Sequence, residues 1–271
     1  MRASATNCAP MSIDKQAVTD DAILNGRLRL LQPKRGHRFG HDAVLLAASV
    51  AARAGDHAVE FGSGVGTASL ALLTRVPGVT VTMVEIDPFL ADLAAQNIAR
   101  NGFSASARMI VVDAGAPAEF SAHGLAAGSA DHVFMNPPFN DETRPSPDAM
   151  KRSAHVAPRG LLTVWIAAAT QLLRAGGTLT GIWRAEARTD VLNALAADFG
   201  SILVLPIHGK DGEPAIRVVV SAIKGAGAWL TELAPLVLND KASHPTPDAE
   251  AVMRNLVPLP PAINRRGGGS T

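Results

Sequence analysis

An apolar run, His132-Val133-Phe134-Met135, leads directly into Asn136-Pro137-Pro138-Phe139. Two prolines fix φ, remove two backbone donors and push the residue before each of them out of helical space. The segment is therefore rigid and extended, with an amide and an aromatic ring held at its ends. That pairing suits an amino nitrogen attached to a planar group. Such a nitrogen is a poor nucleophile, because its lone pair is delocalised. Hydrogen bonds from its two hydrogens to fixed acceptors favour a tetrahedral nitrogen and aim the lone pair. The Asn136 side-chain oxygen and the Pro137 carbonyl are suitable acceptors, and the two prolines hold them still, an orientation effect of real catalytic weight. Phe139 offers a stacking face, a contact of about 1–3 kcal/mol per base, and a base inside a helix must first be flipped out or already exposed. The plainer alternative is a proline turn after a strand, with Phe139 in the core.

A second constellation precedes it. Val59-Glu60-Phe61-Gly62-Ser63-Gly64-Val65-Gly66-Thr67 sits where an apolar strand turns into a helix. Glycines there let the backbone bend sharply and approach a ligand, and in an open α/β sheet this crevice is where ligands bind. The dinucleotide fingerprint needs Gly or Ala at the position of Thr67, and Glu60 would crowd a pyrophosphate while suiting a cationic ligand. Both features point away from a nicotinamide cofactor. Glu85 ends the next strand, 23 positions after Gly62, where an acid accepts hydrogen bonds from ribose hydroxyls. Asp113 ends a third, beside the small Ala114, where a flat adenine has room. Asp113 reads equally as a helix cap for 117–123, Glu85 as a solvated strand-end acid, and Asp87-Pro88 as the start of a helix. Together Glu60, Gly62, Gly64, Gly66, Glu85, Asp113, Ala114 and Asn136 fit S-adenosyl-L-methionine as cofactor.

Lys34, Arg35 and Arg38, with the pair Lys151-Arg152, are placed to grip phosphates on either side of such a cleft, or they form a solvated charged face. The eight histidines show no metal-ligand spacing, and the single Cys8 excludes an intramolecular disulfide or a cysteine metal cluster. Formal charge is +1, so any nucleic-acid site must be local. The N-terminus lacks the apolar stretch of a signal peptide. The run LLTVWIAAATQLL at 161–173 is shorter than the roughly 18–20 residues that span a bilayer. A cytoplasmic location, with no membrane and no metal partner, is the expectation.

The elements that must position these residues follow from periodicity. A strand is expected over 27–31 and a helix over 42–53, with Asp42 as its cap or first-turn acid. Strands are then expected at 57–61, 79–85, 107–112, 131–135, 178–183, 202–206 and 215–223, and helices at 66–75, 88–100, 158–174 and 187–198. This alternation implies an α/β fold, a doubly wound, mainly parallel seven-stranded sheet covered on both faces. The short connection at 208–212 makes the last two strands an antiparallel hairpin. Residues 1–22 read as a disordered tail, 23–240 as one domain, and 241–271 as a flexible tail carrying a short helix after Thr246-Pro247.

The order E-x-G-x-G-x-G, V-E-I-D, V-V-D-A, N-P-P-F resembles the class I methyltransferases that modify planar amino groups. The segments G-R-L-R-L-L-Q-P, R-F-G-H-D-A-V-L-L-A, L-R-A-G-G-T-L and P-A-I-R-V-V-V extend the likeness to the bacterial tRNA adenine-N6 methyltransferase family, over roughly residues 25–240. The tyrosine often found in the aromatic slot is Phe139 here, which keeps stacking and removes any role for a hydroxyl. The resemblance implies an S-adenosyl-L-methionine-dependent N-methyltransferase with a Rossmann-like fold, acting on adenine N6 in RNA, most simply tRNA. The same motif serves glutamine methylation in proteins, whose enzymes usually carry a larger helical N-terminal domain than this chain has room for before Asp42. A non-catalytic S-adenosyl-L-methionine-binding protein is a further alternative, against which Asn136 argues.

Overall fold

The computed structural model describes residues 18–34, 40–138 and 160–262. Its first elements are β1 (Val18–Ile23) and β2 (Leu28–Pro33), an antiparallel pair separate from the main sheet. β2 alternates as its sequence dictates, with Leu28 and Leu30 buried and Arg29 exposed. β1 lies mostly inside the segment expected to be a disordered tail. The carboxylates that make it look like one are all engaged. Asp20 accepts from Arg29 at 2.9 Å and Arg100 at 2.7 Å, and Asp21 from Gln32 at 2.5 Å and Thr19 at 2.6 Å.

Strand and helix then alternate. The elements are α1 (His41–Ser49), β3 (His57–Phe61), α2 (Thr67–Arg75), β4 (Thr80–Glu85), α3 (Pro88–Arg100) and β5 (Ala107–Val111). After a 3-10 turn at Pro117–His123 come β6 (Ala130–Met135), α4 (Leu161–Leu172), β7 (Leu173–Arg184) and α5 (Arg188–Leu195). Two long strands, β8 (Phe199–Lys210) and β9 (Ala215–Lys224), form the hairpin the short connection requires. β10 (Leu230–Glu232), β11 (Leu236–Asn239) and α6 (Pro247–Asn255) complete the described chain. All seven expected strands are present, and β10 and β11 extend the sheet, both running parallel to β8.

The main sheet has the order β10-β8-β9-β7-β6-β3-β4-β5, parallel from β7 to β5, with β9 antiparallel to both its neighbours. Strand residues alternate between two cores. Ala58, Val81, Met83 and Phe134 face α1, α2, α3 and α6, whereas Val59, Phe61, Val84, Val133 and Met135 face α4, α5 and the 3-10 turn. Parallel pairing in register (Phe61 beside both Val84 and Met135) brings the carboxyl ends of β3, β4 and β6 to one edge. Every chemistry-bearing residue singled out on these strands comes from that edge.

Residues 241–262 are not loose. Thr246 caps α6 by accepting from the Ala249 N–H at 3.1 Å, and its hydroxyl donates to the Val237 carbonyl at 2.6 Å. Val252, Leu256 and Leu259 enter the core, and the Leu259 N–H donates to the Ala48 carbonyl at 2.9 Å. α6 also meets the β1–β2 turn, where Arg27 donates to the Arg254 carbonyl at 3.1 Å and Asn25 to Asn255 at 3.3 Å. Residues 263–271 lie outside the described residues. Among those described, no helix is long and apolar enough to cross a membrane, α4 included.

Candidate functional site

The site begins where β3 hands over to α2. Gly62, Gly64 and Gly66 have φ of 63°, 56° and 85°, in the left-handed region that strains other residues. Space reinforces that demand at two of them. A Cβ on Gly62 would sit 2.7 Å from the Trp165 ring of α4, and one on Gly66 would sit 2.9 Å from the Met83 sulfur. The loop is pinned by the Ser63 N–H to the Val84 carbonyl at 3.0 Å and the Gly64 N–H to Glu85 at 2.8 Å.

Two acids flank it. Glu60 is buried and accepts from both the backbone N–H (3.0 Å) and the hydroxyl of Ser69, in α2. Burial pushes its carboxyl up to about 8, the Ser69 bonds oppose that shift, and the neighbouring Glu85 adds to it. Glu85 is also buried, with one oxygen on Gly64 and the other accepting from the Ile86 and Asp87 N–H groups at 2.9 Å each. Burial raises its carboxyl from the ordinary value, against the pull of those three donors. Glu85 therefore holds the loop's shape, and Glu60 ties β3 to α2. For Glu60 this qualifies the expectation of a plain cation partner, because one of its oxygens is committed to α2.

Asn136 follows Met135, which pairs with Phe61, so its side chain stands beside the glycine loop. Its Oδ1 is buried and has no hydrogen-bond partner among the described residues. The Ser63 and Thr67 hydroxyls and the Trp165 indole N–H share that condition. A buried polar group without a partner costs on the order of 1–3 kcal/mol, and native folds leave few of them. Here three of them, on Ser63, Thr67 and Asn136, lie in or next to the glycine loop. Such a concentration is what a site built for a polar ligand looks like.

The adenine-side residues lie next along the edge. Val112 donates to the Glu85 carbonyl at 3.0 Å, which brings Asp113 and the buried Ala114 to the mouth of the crevice. Asp113 is exposed, with one carboxylate oxygen accepting from the Gly115 N–H at 2.7 Å. It does not cap the 3-10 turn, whose N-cap is Ala116. Asp87 caps α3, accepting from Phe89 at 2.8 Å and Leu90 at 3.4 Å. Pro137 is buried and Pro138 half-buried. Phe139, Arg35, Arg38, Lys151 and Arg152 lie outside the described residues, and Lys34 is exposed at the end of β2.

Two contributors, Trp165 and Ser69, escape a linear reading. Trp165 floors the crevice, edge-on to Phe61 at 6.2 Å between centroids, and its signal was a tryptophan in a chain with only 4% aromatic residues. Ser69 fixes Glu60. Asp42, in the first turn of α1, pairs with Arg217 of β9 at 2.9 Å. Among the described residues no three His, Cys, Asp or Glu side chains gather as metal ligands would.

With that geometry in view, comparison with known proteins is decisive on family. The model of the methyltransferase small domain matches residues 38–210. The chain belongs to the methyltransferase small domain family. The small-domain methyltransferase is 32% identical to the tRNA1(Val) (adenine(37)-N6)-methyltransferase of Porphyromonas gingivalis, over 52% of this chain and 56% of that protein. It is 28% identical to the release factor glutamine methyltransferase of Chlorobaculum tepidum, over 69% of this chain and 66% of that one. The match thus spans little more than half the length of the first of these relatives. Among solved structures it superposes on a protein described as a predicted O-methyltransferase from Agrobacterium tumefaciens, with TM-score 0.67 and 31% identity, over 80% of this chain and 96% of that one. The fold is that of the class I methyltransferases, a fold that in TYW2 of M. jannaschii, with TM-score 0.53 and 13% identity over 78% of this chain and 87% of that one, holds S-adenosyl-L-methionine. The crevice fits it. The loop glycines admit close backbone approach, and the partnerless Ser63 and Thr67 hydroxyls offer polar contacts.

Proposed function

We propose that this methyltransferase acts on an exocyclic amino nitrogen, adenine N6 of an RNA, in the first instance tRNA. The observation that carries the reading is the buried, partnerless Oδ1 of Asn136 beside the glycine loop. An acceptor kept dry and unpaired is ready for a donor that arrives with the substrate, and a planar amino group brings two. Bound S-adenosyl-L-methionine supplies a methyl group made electrophilic by its sulfonium. The protein's part is orientation. Asn136 and the Pro137 carbonyl accept the two amino hydrogens, and that contact strengthens as the nitrogen becomes tetrahedral. Phe139 stacks on the base, and Glu60, Glu85, Asp113 and Ala114 shape the cofactor's seat. The similarity to the Porphyromonas gingivalis enzyme supports adenine over other amino targets. A cytoplasmic workplace follows from that substrate.

A second reading, the side-chain amide of a glutamine in a protein, draws on the longer match to the Chlorobaculum tepidum enzyme. Both are tested by incubating the protein with labelled S-adenosyl-L-methionine and the RNA, protein and DNA of a strain lacking the gene. Label in RNA that digests to N6-methyladenosine is the expected result. Label in a protein glutamine favours the second reading, and a ribose 2′-O-methyl product overturns both. The Asn136→Ala variant should still bind cofactor while its single-turnover rate falls by at least about 100-fold, the scale of a lost transition-state hydrogen-bonding group. A wild-type rate in that variant would return the segment to a turn after a strand.

A further inference from the structure

Asn97 lies on α3, fully buried, and its one side-chain amide makes three hydrogen bonds. Its Oδ1 accepts from the Leu31 N–H at 2.7 Å, and its Nδ2 donates to the Leu31 carbonyl at 2.9 Å. The same Nδ2 donates to the Val65 carbonyl at 3.0 Å, in the middle of the glycine loop. One turn later Asn101 repeats the first half of the arrangement. It accepts from the Arg29 N–H at 3.0 Å and donates to the Arg29 carbonyl at 2.8 Å.

The spacing explains why this works. Four residues of helix advance about 6 Å, and two residues of strand advance about 6.6 Å. Side-chain amides four apart on α3 therefore meet the backbone of alternate residues on β2. Arg29 and Leu31 direct their peptide groups away from β1, and the two asparagines stand in for the missing neighbouring strand. They close an edge that would otherwise be open for pairing. Of the two, only Asn97 reaches on to the loop. β2 packs on α3 and α2, and the Asn97 amide joins the hairpin to the glycine loop by hydrogen bonds.

We propose that Asn97 is a positioning residue for the cofactor loop and couples that loop to the β1–β2 hairpin, so that cofactor binding and hairpin docking strengthen one another. The Val65 carbonyl lies between two left-handed glycines; the Gly66 N–H of the same peptide donates to the Ser63 carbonyl at 2.9 Å, and the Asn97 donor holds the other side of that peptide. The hairpin leads directly to Lys34 and the basic segment beyond it, so the coupling runs from the cofactor towards the side of the cleft where RNA phosphates are expected. The inference rests on the glycine loop being the cofactor site and is indifferent to which substrate is methylated.

The test uses the full chain, calorimetric titration with S-adenosyl-L-methionine, and amide hydrogen exchange. Asn97→Ala should raise the cofactor Kd about fivefold, the equivalent of one neutral hydrogen bond. Asn101→Ala, which takes two bonds from the same hairpin and none from the loop, should weaken binding through the coupling alone and so by less, under about twofold. In the wild-type protein, cofactor should slow exchange of the Arg29 and Leu31 amides, because coupling between sites is reciprocal. That arm needs no variant and decides the matter should Asn97→Ala fail to fold. Equal weakening in both variants, or an unchanged Kd in a folded Asn97→Ala protein, would overturn the proposal. So would wild-type protein that binds cofactor while the exchange of its hairpin stays unaltered. Absence of cofactor binding by the wild type would overturn the loop assignment itself, and this inference with it.

Discussion

Glu60 and Glu85 flank one loop and differ in what holds them. Glu85 has three backbone donors, whereas Glu60 depends on Ser69 alone in a site closed to water. The pH behaviour of Glu60 follows from that poverty of donors. Its folded pKa, about 8, stands above the ordinary 4.5, so ionisation opposes folding. The stabilisation is whole below about 4.5 and is lost as pH rises towards about 8. At full extent the effect is on the order of a few kcal/mol. Glu60→Gln keeps an acceptor for Ser69 without a charge. Its melting temperature, without cofactor, should decline less between these limits than that of the wild type, because Glu85 remains the one raised acid of the pair, and the variant should be the more stable protein at pH 8. Parallel declines measured by scanning calorimetry would remove Glu60 as the cause. The sequence made Glu60 visible as an acid beside glycines, but not its tie to α2. That tie depends on a serine nine positions away facing back across a helix, and nothing in local composition announces it.

At the scale of elements, legibility followed periodicity. β3, β4 and β6 stand where apolar runs between turn residues placed them, because strands buried on both faces cannot be anything else. β10 and β11 have three and four residues, too few to display a period, and exist only because β8 offers them an edge. β1 hid behind its own aspartates, whose partners Arg29 and Arg100 come from other elements. α6 is the converse case. Its cap, Thr246 followed by Pro247, was plain in the sequence, while its burial against α1 was not. Thr246→Ala removes the cap and the bond to Val237, and should destabilise the protein by about 1 kcal/mol. Thr246→Ser should recover most of that loss. A denaturant midpoint unchanged in Thr246→Ala would show that α6 stands by its packing alone.

The whole molecule divides its charges by end. At the amino ends of the strands, Asp56 pairs with His132 at 3.0 Å and Asp131 with Arg174 at 2.6 Å, a belt remote from the crevice. The carboxyl ends carry the cofactor loop and Asn136, with Lys34 at the exit of the hairpin. Under the proposed function, a net charge of +1 leaves RNA capture to local charges, for which Lys34, Arg35 and Arg38 are the candidates. Replacing Lys34, Arg35 and Arg38 together should raise the RNA KM and reduce the salt slope of binding by about 2, near the share of three single-strand phosphate contacts. Cofactor affinity should stay as it was. An unaltered slope, from filter binding across a salt series, would return these residues to a solvated face.

The contact between the β1–β2 turn and α6 carries a consequence for how the protein comes into being. Arg27 and its acceptor Arg254 are 227 residues apart. At ribosomal speeds of roughly 5–20 residues per second, on the order of ten to forty seconds separate the synthesis of the two. α3, with Asn97 and Asn101, is made far sooner. The nascent hairpin can therefore dock on the amide pair early, and it waits for the last helix to lock the turn. A ribosome that stalls late in the message thus leaves a chain whose cofactor loop is already braced and whose first element is still half-fastened.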